Sequence, residues 1–565
     1  MMLRYMMLVG ALCAGCAPFL SGGVPRPDVD VTVIGLAVGV VGAAALALGS
    51  QRSMRVFAGL LGTGLAAVVW WLLVSDLLTG LTGDDLPVLA VGSLAVAAGA
   101  ISLAEWRTHP AEDTAERRTL PDDGEAGQQA QPAESATEQA QQTADAADRP
   151  ARPNGWRVRP VGVVAAVVVV VAAVFAPVVA GAVIVRSKTL DSRGFTPEAV
   201  VERPGGRQWS WQPAAEVVDV VPSGHGVAVA MHDGSLVALD GTDGWVAWRY
   251  ARPGARVGAV VATLDRRAVV AAFGSSRNTK AMSVVVLDAE TGAPRFELVV
   301  RSVLVEVGEL MPGTQTLALR DDDVITGYDL VSGEVKWRWS PPAGCTSRFS
   351  GTARGRTTVL APVECPTWLG VVALDEVTGQ ERWRHEIPLG PADGERQDVL
   401  VRATRDGSVM SLRVVATRAV PGSVVNGLLD AGTGRVLIRP DRPSTVRADL
   451  GVTPLLEEQE GARVTAVHAI DPATGVTTPL AVDVCPARAA DTTTSTTYLR
   501  ACEDNGRELT VVTQSLDGSP PTSTSVRLDG SGLLPEVRLV AAPGAIVVTR
   551  TASGGTPAPV VGLTG

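Results

Sequence analysis

The sequence predicts an all-β propeller of eight blades, preceded by α-helical transmembrane segments. Three observations carry this expectation. A strand-turn-strand motif recurs through the second half of the 565-residue chain at intervals of 41 to 55 residues. The two ends of that half supply complementary pieces of one repeat. The first 185 residues hold five apolar segments.

The clearest copy of the motif runs from Val371 to Trp383, VVALDEVTGQERW. Val371 and Ala373 begin in a strand. Asp375, Thr378 and Gly379 form a tight turn, because Asp offers a side-chain acceptor to nearby amides and Gly supplies the positive φ of a short reversal. Trp383 follows eight residues after the Asp. LDGTDGWVAW carries Asp240, Gly244 and Trp248, and LDAETGAPRF carries Asp288, Gly292 and Phe296. YDLVSGEVKW has Asp329, Gly333 and Trp337, and LDAGTGRVLI has Asp430, Gly434 and Ile438. IDPATGVTTP has Asp471 and Gly475, with Pro479 in the Trp place. LDG at Asp517 is a degraded seventh copy, and VVGLTG, with Thr564 in the Asp place, is an eighth.

The successive spacings are 48, 41, 46, 55, 41, 46 and 47 residues. A period of this size marks a propeller, in which each repeat is one four-stranded blade that needs its neighbours to bury both faces. Separate hairpins on a flat sheet would leave exposed edges. The segment RQWSWQP, Arg207–Pro213, aligns with KWRWSP, so Trp209 takes the place of Trp337 with no turn before it. The last motif has a turn with no strand after it. The two ends therefore complete one blade together and close a ring of eight; seven blades is the alternative if VVGLTG is not a repeat.

The pattern Ala-x-Asp-x-x-Thr-Gly-x-x-x-Trp resembles the tryptophan-docking motif of PQQ-type (quinoprotein) β-propellers. Ala373, Asp375, Thr378, Gly379 and Trp383 match it fully. Ala238, Asp240, Gly244 and Trp248 match with Asp243 in the Thr place; Asp329, Gly333 and Trp337 match with Ser332 and Gly327 in the Thr and Ala places. The resemblance covers roughly residues 205–565. It implies the fold but not the function, since quinoprotein dehydrogenases and the non-catalytic BamB-like assembly propellers share the motif.

The apolar segments are Tyr5–Leu20, Val31–Leu48, Val56–Val74, Leu86–Leu103 and Val161–Val185. Runs of about eighteen or more apolar residues read as transmembrane helices; the first is shorter and also suits a signal peptide. The sequence divides into four helices over 1–106, a disordered cytoplasmic linker over 107–158, a fifth helix over 159–187, a juxtamembrane linker over 188–204 and the propeller over 205–565. The linker is rich in Gln, Ala, Glu, Asp and Thr, with too little apolar surface to offset the entropy of ordering. Arg52 and Arg55 mark the second connection, and Arg107, Arg117, Arg118, Arg149, Arg152, Arg157 and Arg159 flank the linker. The connection SDLLTGLTGDDLP has two acids and no base between the third and fourth helices. By the positive-inside rule, with Arg4 inside, five crossings place the propeller outside a bacterial plasma membrane. Arg186 and Lys188 run mildly against this. A net charge of −10 argues against a nucleic-acid surface.

Six cysteines are present. LCAGC resembles a lipoprotein cleavage box ending at Cys16; two small apolar thiols, Cys13 and Cys16, in a helix is the other reading. Cys345 opens one blade and Cys365 ends its second strand; Cys485 and Cys502 take matching places in another. Both points lie at the same end of an up-and-down blade, so each pair is expected to form a local disulfide, as an oxidising compartment favours.

Motifs for a nucleophile elbow, a zincin and a P-loop are absent. The propeller histidines, His225, His232, His385 and His468, are expected in different blades without ligand spacing. The repeated aspartates, Asp240, Asp288, Asp329, Asp375, Asp430 and Asp471, are expected to bond their own turns rather than form a ring of catalytic carboxylates. The motif tryptophans, Trp248, Trp337 and Trp383, are expected to pack between blades. The function expected is a non-catalytic binding scaffold without cofactor, integral to the membrane, engaging envelope or secreted proteins or a cell-wall polymer. The alternative is a membrane-bound dehydrogenase of sugars or alcohols using PQQ and Ca²⁺, for which the sequence assigns no binding residues.

Overall fold

A computed structural model describes residues 2–19, 31–47, 52–80, 85–105, 160–190, 199–275, 278–301, 310–321, 323–347, 352–390, 398–415, 426–440, 444–460, 463–482, 484–485, 488–503, 508–528, 536–551 and 556–565. The linker expected over 107–158 lies outside the described residues. The chain divides into two compact units. One comprises Met1–Gly23, Asp30–Val74 and Gly83–Val179; the other comprises Val24–Val29, Ser75–Thr82 and Ala180–Gly565.

All five apolar segments are helices: α1 (Met2–Cys16), α2 (Val31–Ala47), α3 (Arg52–Leu78), α4 (Asp85–Glu105) and α5 (Pro160–Ile184). Three of them contain stretches long and apolar enough to cross a membrane: Phe57–Leu78, Asp85–Ser102 and Val167–Ile184. The other two are shorter apolar helices. At 17 residues α2 is roughly 26 Å long, short of a hydrocarbon core of about 30 Å. Glycines let α1 and α4 meet backbone to backbone. A Cβ on Gly10 would lie 2.8 Å from the Gly92 carbonyl oxygen, and one on Gly92 2.8 Å from that of Gly10. Close approach through small residues is the usual way apolar helices associate where water gives no driving force between them. It makes α1 an integral part of the helical unit.

The second unit is a propeller of eight antiparallel sheets. Blade 1 runs from Val217–Ser223 to Val246–Ala251, blade 2 from Ala255–Ala262 to Pro294–Arg301, and blade 3 from Leu310–Pro312 to Val335–Trp339. Blade 4 runs from Thr346–Ser347 and Ala353–Arg354 to Glu381–Pro388, and blade 5 from Asp398–Ala403 to Val436–Ile438. Blade 6 runs from Ser444–Arg447 to Thr477–Leu480, and blade 7 from Arg488–Thr493 to Thr522–Arg527. Blade 8 joins Glu536–Ala541, Ala545–Thr551 and Val560–Thr564 to Arg207–Trp211, with Trp209 opposite Gly562. The closure expected from the two chain ends is therefore the closure observed, and the count is eight.

In blades 1 to 7 the first strand in sequence is the innermost; in blade 8 the innermost is Glu536–Ala541, counted as its first, and Arg207–Trp211 is its outer fourth strand. The first strands of blades 1 and 8 are neighbours, as are those of blades 1 and 2, so the ring surrounds a central channel. Middle strands such as Gly226–Met231 are buried along their whole length, because both of their faces meet the adjacent blades. That is why they read as continuous apolar runs rather than alternating ones. Cores form between blades: Trp248 and Tyr250 of blade 1 pack with Phe273 and Val285 of blade 2.

The up-and-down path gives the ring two faces. Turns between first and second strands and between third and fourth strands share one, the turn face. Connections between second and third strands and from blade to blade share the other, the connection face.

Two segments at and after the end of the expected fifth helix (159–187), within or beside the expected linker over 188–204, are bonded to the propeller. Arg186–Lys188 pairs with Val246–Ala251 as a fifth strand of blade 1, Arg186 opposite Ala251. Residues 199–206 lie across the turn face of blades 7 and 8. Val200 bridges Pro543, Arg203 Nη2 donates to Ser515 Oγ at 2.8 Å, and Glu202 accepts from Ser495 Oγ at 2.7 Å and Thr496 Oγ1 at 2.8 Å.

Candidate functional site

The repeated turns have the geometry that Asp, Gly and Trp at these spacings require. In blade 4 the Asp375 carboxylate accepts from the Val377 amide at 3.0 Å and the Thr378 amide at 2.8 Å. Asp240, Asp288, Asp329, Asp430, Asp471 and Asp517 each accept in the same way from the amide two residues on. These are Asx turns, as expected, and the carboxylates serve their own backbone. The turn glycines take φ between 68° and 85° from Gly244 to Gly518. This left-handed conformation is open to glycine at little cost.

The glycines also make room. A Cβ on Gly379 would stand 2.6 Å from the ring of Trp337, which belongs to the blade before. Trp337 Nε1 donates to the Glu376 carbonyl at 2.8 Å. Trp209 docks in the same way on blade 1, Trp248 on blade 2 and Trp383 on blade 5, through the carbonyls of Gly241, Ala289 and Ala431. Phe296 lies over Gly333 without a polar bond of this kind.

The Ala of the motif is explained by register. Trp248 opposes Ala238 and Trp383 opposes Ala373; Trp337 and Trp209 oppose Gly327 and Gly562. The indole lies across the neighbouring strand and needs a small residue beneath it. Phe296 opposes Val286 and Ile438 opposes Leu428, so the base residue grows as the docking residue shrinks. Blades 1 to 5 share a register shift just before this Asp. Blade 6 lacks it, so Thr478 rather than Pro479 faces Ala469.

The turn carboxylates are held ionised. Burial works against the Asp375 anion, but bonds from Thr378 and Val377 and the charge of Arg382 outweigh it and keep its pKa below the usual carboxylate range. The Ser332 amide, the Lys336 ammonium and the Val331 amide hold Asp329 well below that range. The Ser519 hydroxyl and amide bring Asp517 to about 2. Under Glu202, burial is outweighed by bonds from Thr494, Ser495 and Thr496. A carboxyl whose folded pKa is depressed contributes stability that is present above its unfolded pKa of about 4 and lost as pH falls through the folded value. The denaturation midpoint should thus stay level from pH 7 to 5 and fall below about pH 4. A midpoint rising there would contradict the assignment.

Both expected disulfides are present. Cys345 and Cys365 join across blade 4 with Cα atoms 4.2 Å apart, and Cys485 and Cys502 across blade 7 at 5.3 Å. Both lie toward the connection face.

The histidines do not assemble a site. His225 and His232 share blade 1, contrary to the expectation of separate blades. They stand at opposite ends of Gly226–Met231, one on each face. His385 lies on Glu381–Pro388 of blade 4, and His468, on Arg463–Ile470 of blade 6, has Nε2 3.6 Å from Glu458 Oε1. Among the described residues no group of three or more His, Cys, Asp or Glu is placed to hold a metal ion.

One surface feature was not foreseen. The propeller's exposed large apolar residues, among those described, are Trp245, Val331, Val335, Val377, Val436 and Val476. All six sit in the turn between third and fourth strands or at the first residue after it, in blades 1, 3, 4, 5 and 6. Val331 is 74% exposed, Val476 63% and Trp245 56%. They give the turn face an interrupted apolar rim, one or two residues per blade on five of the eight blades. A cavity of about 440 Å³ opens beside Trp245, lined by Leu190, His225, Asp240, Ala289 and Glu290.

Comparison with known proteins bears on the repeat. A family model described as outer membrane protein assembly factor BamB matches residues 276–478, from blade 2 to blade 6. The repeat resemblance drawn from the motif is borne out over that stretch. The computationally designed Ika8 protein aligns at 15% identity and a TM-score of 0.37, covering 62% of this chain and 98% of its own. The C-terminal WD40 domain of Sif2 aligns at 10% identity and a TM-score of 0.38, covering 66% of this chain and 98% of its own. No curated protein matches the chain in sequence.

Proposed function

We propose that this protein is a non-catalytic binding scaffold of the bacterial cell envelope. It is integral to the plasma membrane through several passes and carries its propeller on the extracytoplasmic side. The observation that supports the binding role is the apolar rim. Exposed valines and a tryptophan recur at the same turn in five blades, all toward one face, and offer that face repeated apolar contacts for another molecule. The apolar character favours protein partners, envelope or secreted, over a cell-wall polymer. A match to a family of outer membrane protein assembly factors agrees with protein handling.

Compartment and anchoring have separate support. Two disulfides suit an oxidising environment, and the arginine distribution around the helices points the same way. No cofactor belongs to this reading.

The full-length protein in detergent is titrated with PQQ and Ca²⁺ and assayed for dye reduction with sugars and alcohols. In parallel, photo-crosslinkers at positions 331 and 476 are activated in cells. The scaffold reading expects no PQQ uptake and discrete protein adducts from the rim. Stoichiometric PQQ uptake with substrate-dependent reduction would replace it with a quinoprotein dehydrogenase. Adducts to glycan alone would shift the partner to a wall polymer.

A further inference from the structure

The innermost strands bring charged side chains to the central channel, and several of their arginines are neutralised there. Arg402 is bonded to Asp449. Arg447 reaches Glu457 at 3.5 Å and Asp491 at 3.4 Å, and Arg538 meets Asp219 at 3.2 Å. Arg354 and Arg405 differ. Arg354 ends the innermost strand of blade 4, and its Nη1 donates to the carbonyl of Ala262 in blade 2 at 2.7 Å and to that of Pro312 in blade 3. Arg405 lies in the first turn of blade 5, and its Nη1 donates to the carbonyl of Ala541 in blade 8 at 3.3 Å.

These reaches fix where the guanidinium groups are. Ala262, Pro312 and Ala541 each close or terminate an innermost strand at its turn-face end. A side chain from blade 5 that touches blade 8, three blades on, must cross the channel. Both guanidinium groups therefore stand at the turn-face end of the channel. Among the described residues neither has a carboxylate within 4.0 Å, and Nε and Nη2 of each have no protein acceptor. The acids within electrostatic reach are engaged elsewhere. Glu376 accepts from the Thr314 and Gln315 amides at 3.1 and 2.9 Å, and Asp265 from Thr263 Oγ1 at 2.7 Å and the Arg267 amide at 3.1 Å. Asp219, which faces Arg405, is held by Arg538.

We propose that Arg354 and Arg405 form an oxyanion site at the turn-face end of the channel, taking a small carboxylate or phosphate. Guanidinium N–H groups in a planar fork match the oxygens of such anions and bond them more strongly than a neutral acceptor. Burial, followed by the nearby charge of Arg405, pushes Arg354 down to about 10, so it remains a cation at neutral pH; burial also lowers Arg405, and the charge of Asp219 works against that shift. The charge of Arg405 acts against that of Arg354, and a bound anion would relieve this repulsion.

The test is isothermal titration of the full-length detergent-solubilised protein with inorganic phosphate and, separately, with citrate. Saturable binding at one anion per chain is expected, weakening as sodium chloride rises. Arg405→Met and Arg354→Met should each weaken it at least tenfold. Arg405→Met removes only one bond at 3.3 Å, so it is the variant expected to keep its circular dichroism and melting temperature. Binding of phosphate alone assigns a phosphate ligand, of citrate alone a carboxylate ligand, and of both the shared chemistry. No saturable heat from either anion overturns the site, as does wild-type affinity in a folded Arg405→Met. The salt dependence of the wild-type protein needs no variant to fold.

Discussion

Trp248→Ala lowers the unfolding free energy of the propeller by about 3–5 kcal/mol, the cost typical of emptying a buried aromatic site. Trp248 is 1% exposed, donates to the Ala289 carbonyl at 2.9 Å and covers the left-handed Gly292 of the next blade. Truncation opens a cavity between blades 1 and 2 and leaves a buried carbonyl without its donor. Neighbours cannot collapse into the space, because Ala238 below the ring and Gly292 beside it have no side-chain volume to contribute. Trp248→Phe keeps most of the area and loses the indole bond, so it should cost less, about 1–3 kcal/mol. Pro479→Ala is the control. It holds the Trp position of blade 6 in sequence but does not dock, and it should change stability by less than about 0.5 kcal/mol. Urea unfolding of the full chain followed by circular dichroism measures all three. A loss below 1 kcal/mol in Trp248→Ala would mean that inter-blade docking does not hold the ring.

What sequence disclosed here follows from the range of each interaction. The Asx turns are local, set within four residues, and every one from Asp240 to Asp471 was readable. The docking of Trp337 was readable as packing, but its base, Gly327, became meaningful only through the register of blade 3. Ring closure was readable because Trp209 kept the motif's own sequence. The cysteine pairs were readable because each joins strands of one blade.

Other features depend on contacts that local sequence does not encode. Arg186–Lys188 is three exposed polar residues with no strand period, and becomes a strand only because the edge of blade 1 is free to pair. The bulge missing from blade 6 leaves no mark beyond the Pro at 479. Arg354 ends a two-residue strand and Arg405 sits in an ordinary turn, and only closure of the ring brings blades 2, 3 and 8 within their reach. The apolar rim was hidden in turn positions where single valines look unremarkable, and becomes a surface only when the turns are set side by side.

Breaking the Cys485–Cys502 bond by Cys485→Ser with Cys502→Ser costs about 3 kcal/mol, and the same change at Cys345 and Cys365 costs no more. The bridges close segments of 17 and 20 residues, for which loss of chain entropy in the unfolded state gives nearly equal values. Their surroundings separate them. Blade 4 is clamped by Trp337 on one side and Trp383 on the other. Among the described residues blade 7 has no docked indole on either side: Thr478 replaces the Trp before it, and a Cβ on its turn Gly518 would meet nothing within 4 Å. Beyond its cores with blades 6 and 8, where Tyr498 and Val511 are buried, it is held by the disulfide and by Glu202 and Arg203 of the segment laid across its turns. Loss of the Cys485–Cys502 bridge should therefore open blade 7 locally, raising amide exchange in Arg488–Thr493 and Thr497–Glu503 ahead of global unfolding. Loss of the blade 4 bridge should leave exchange there nearly unchanged. The same cysteines report the compartment. Alkylation of the unfolded protein should label two thiols, Cys13 and Cys16, without reductant and six with it, if the propeller matured in an oxidising space. Six labelled thiols before reduction would remove both the stabilising role of the bridges and the extracytoplasmic placement together.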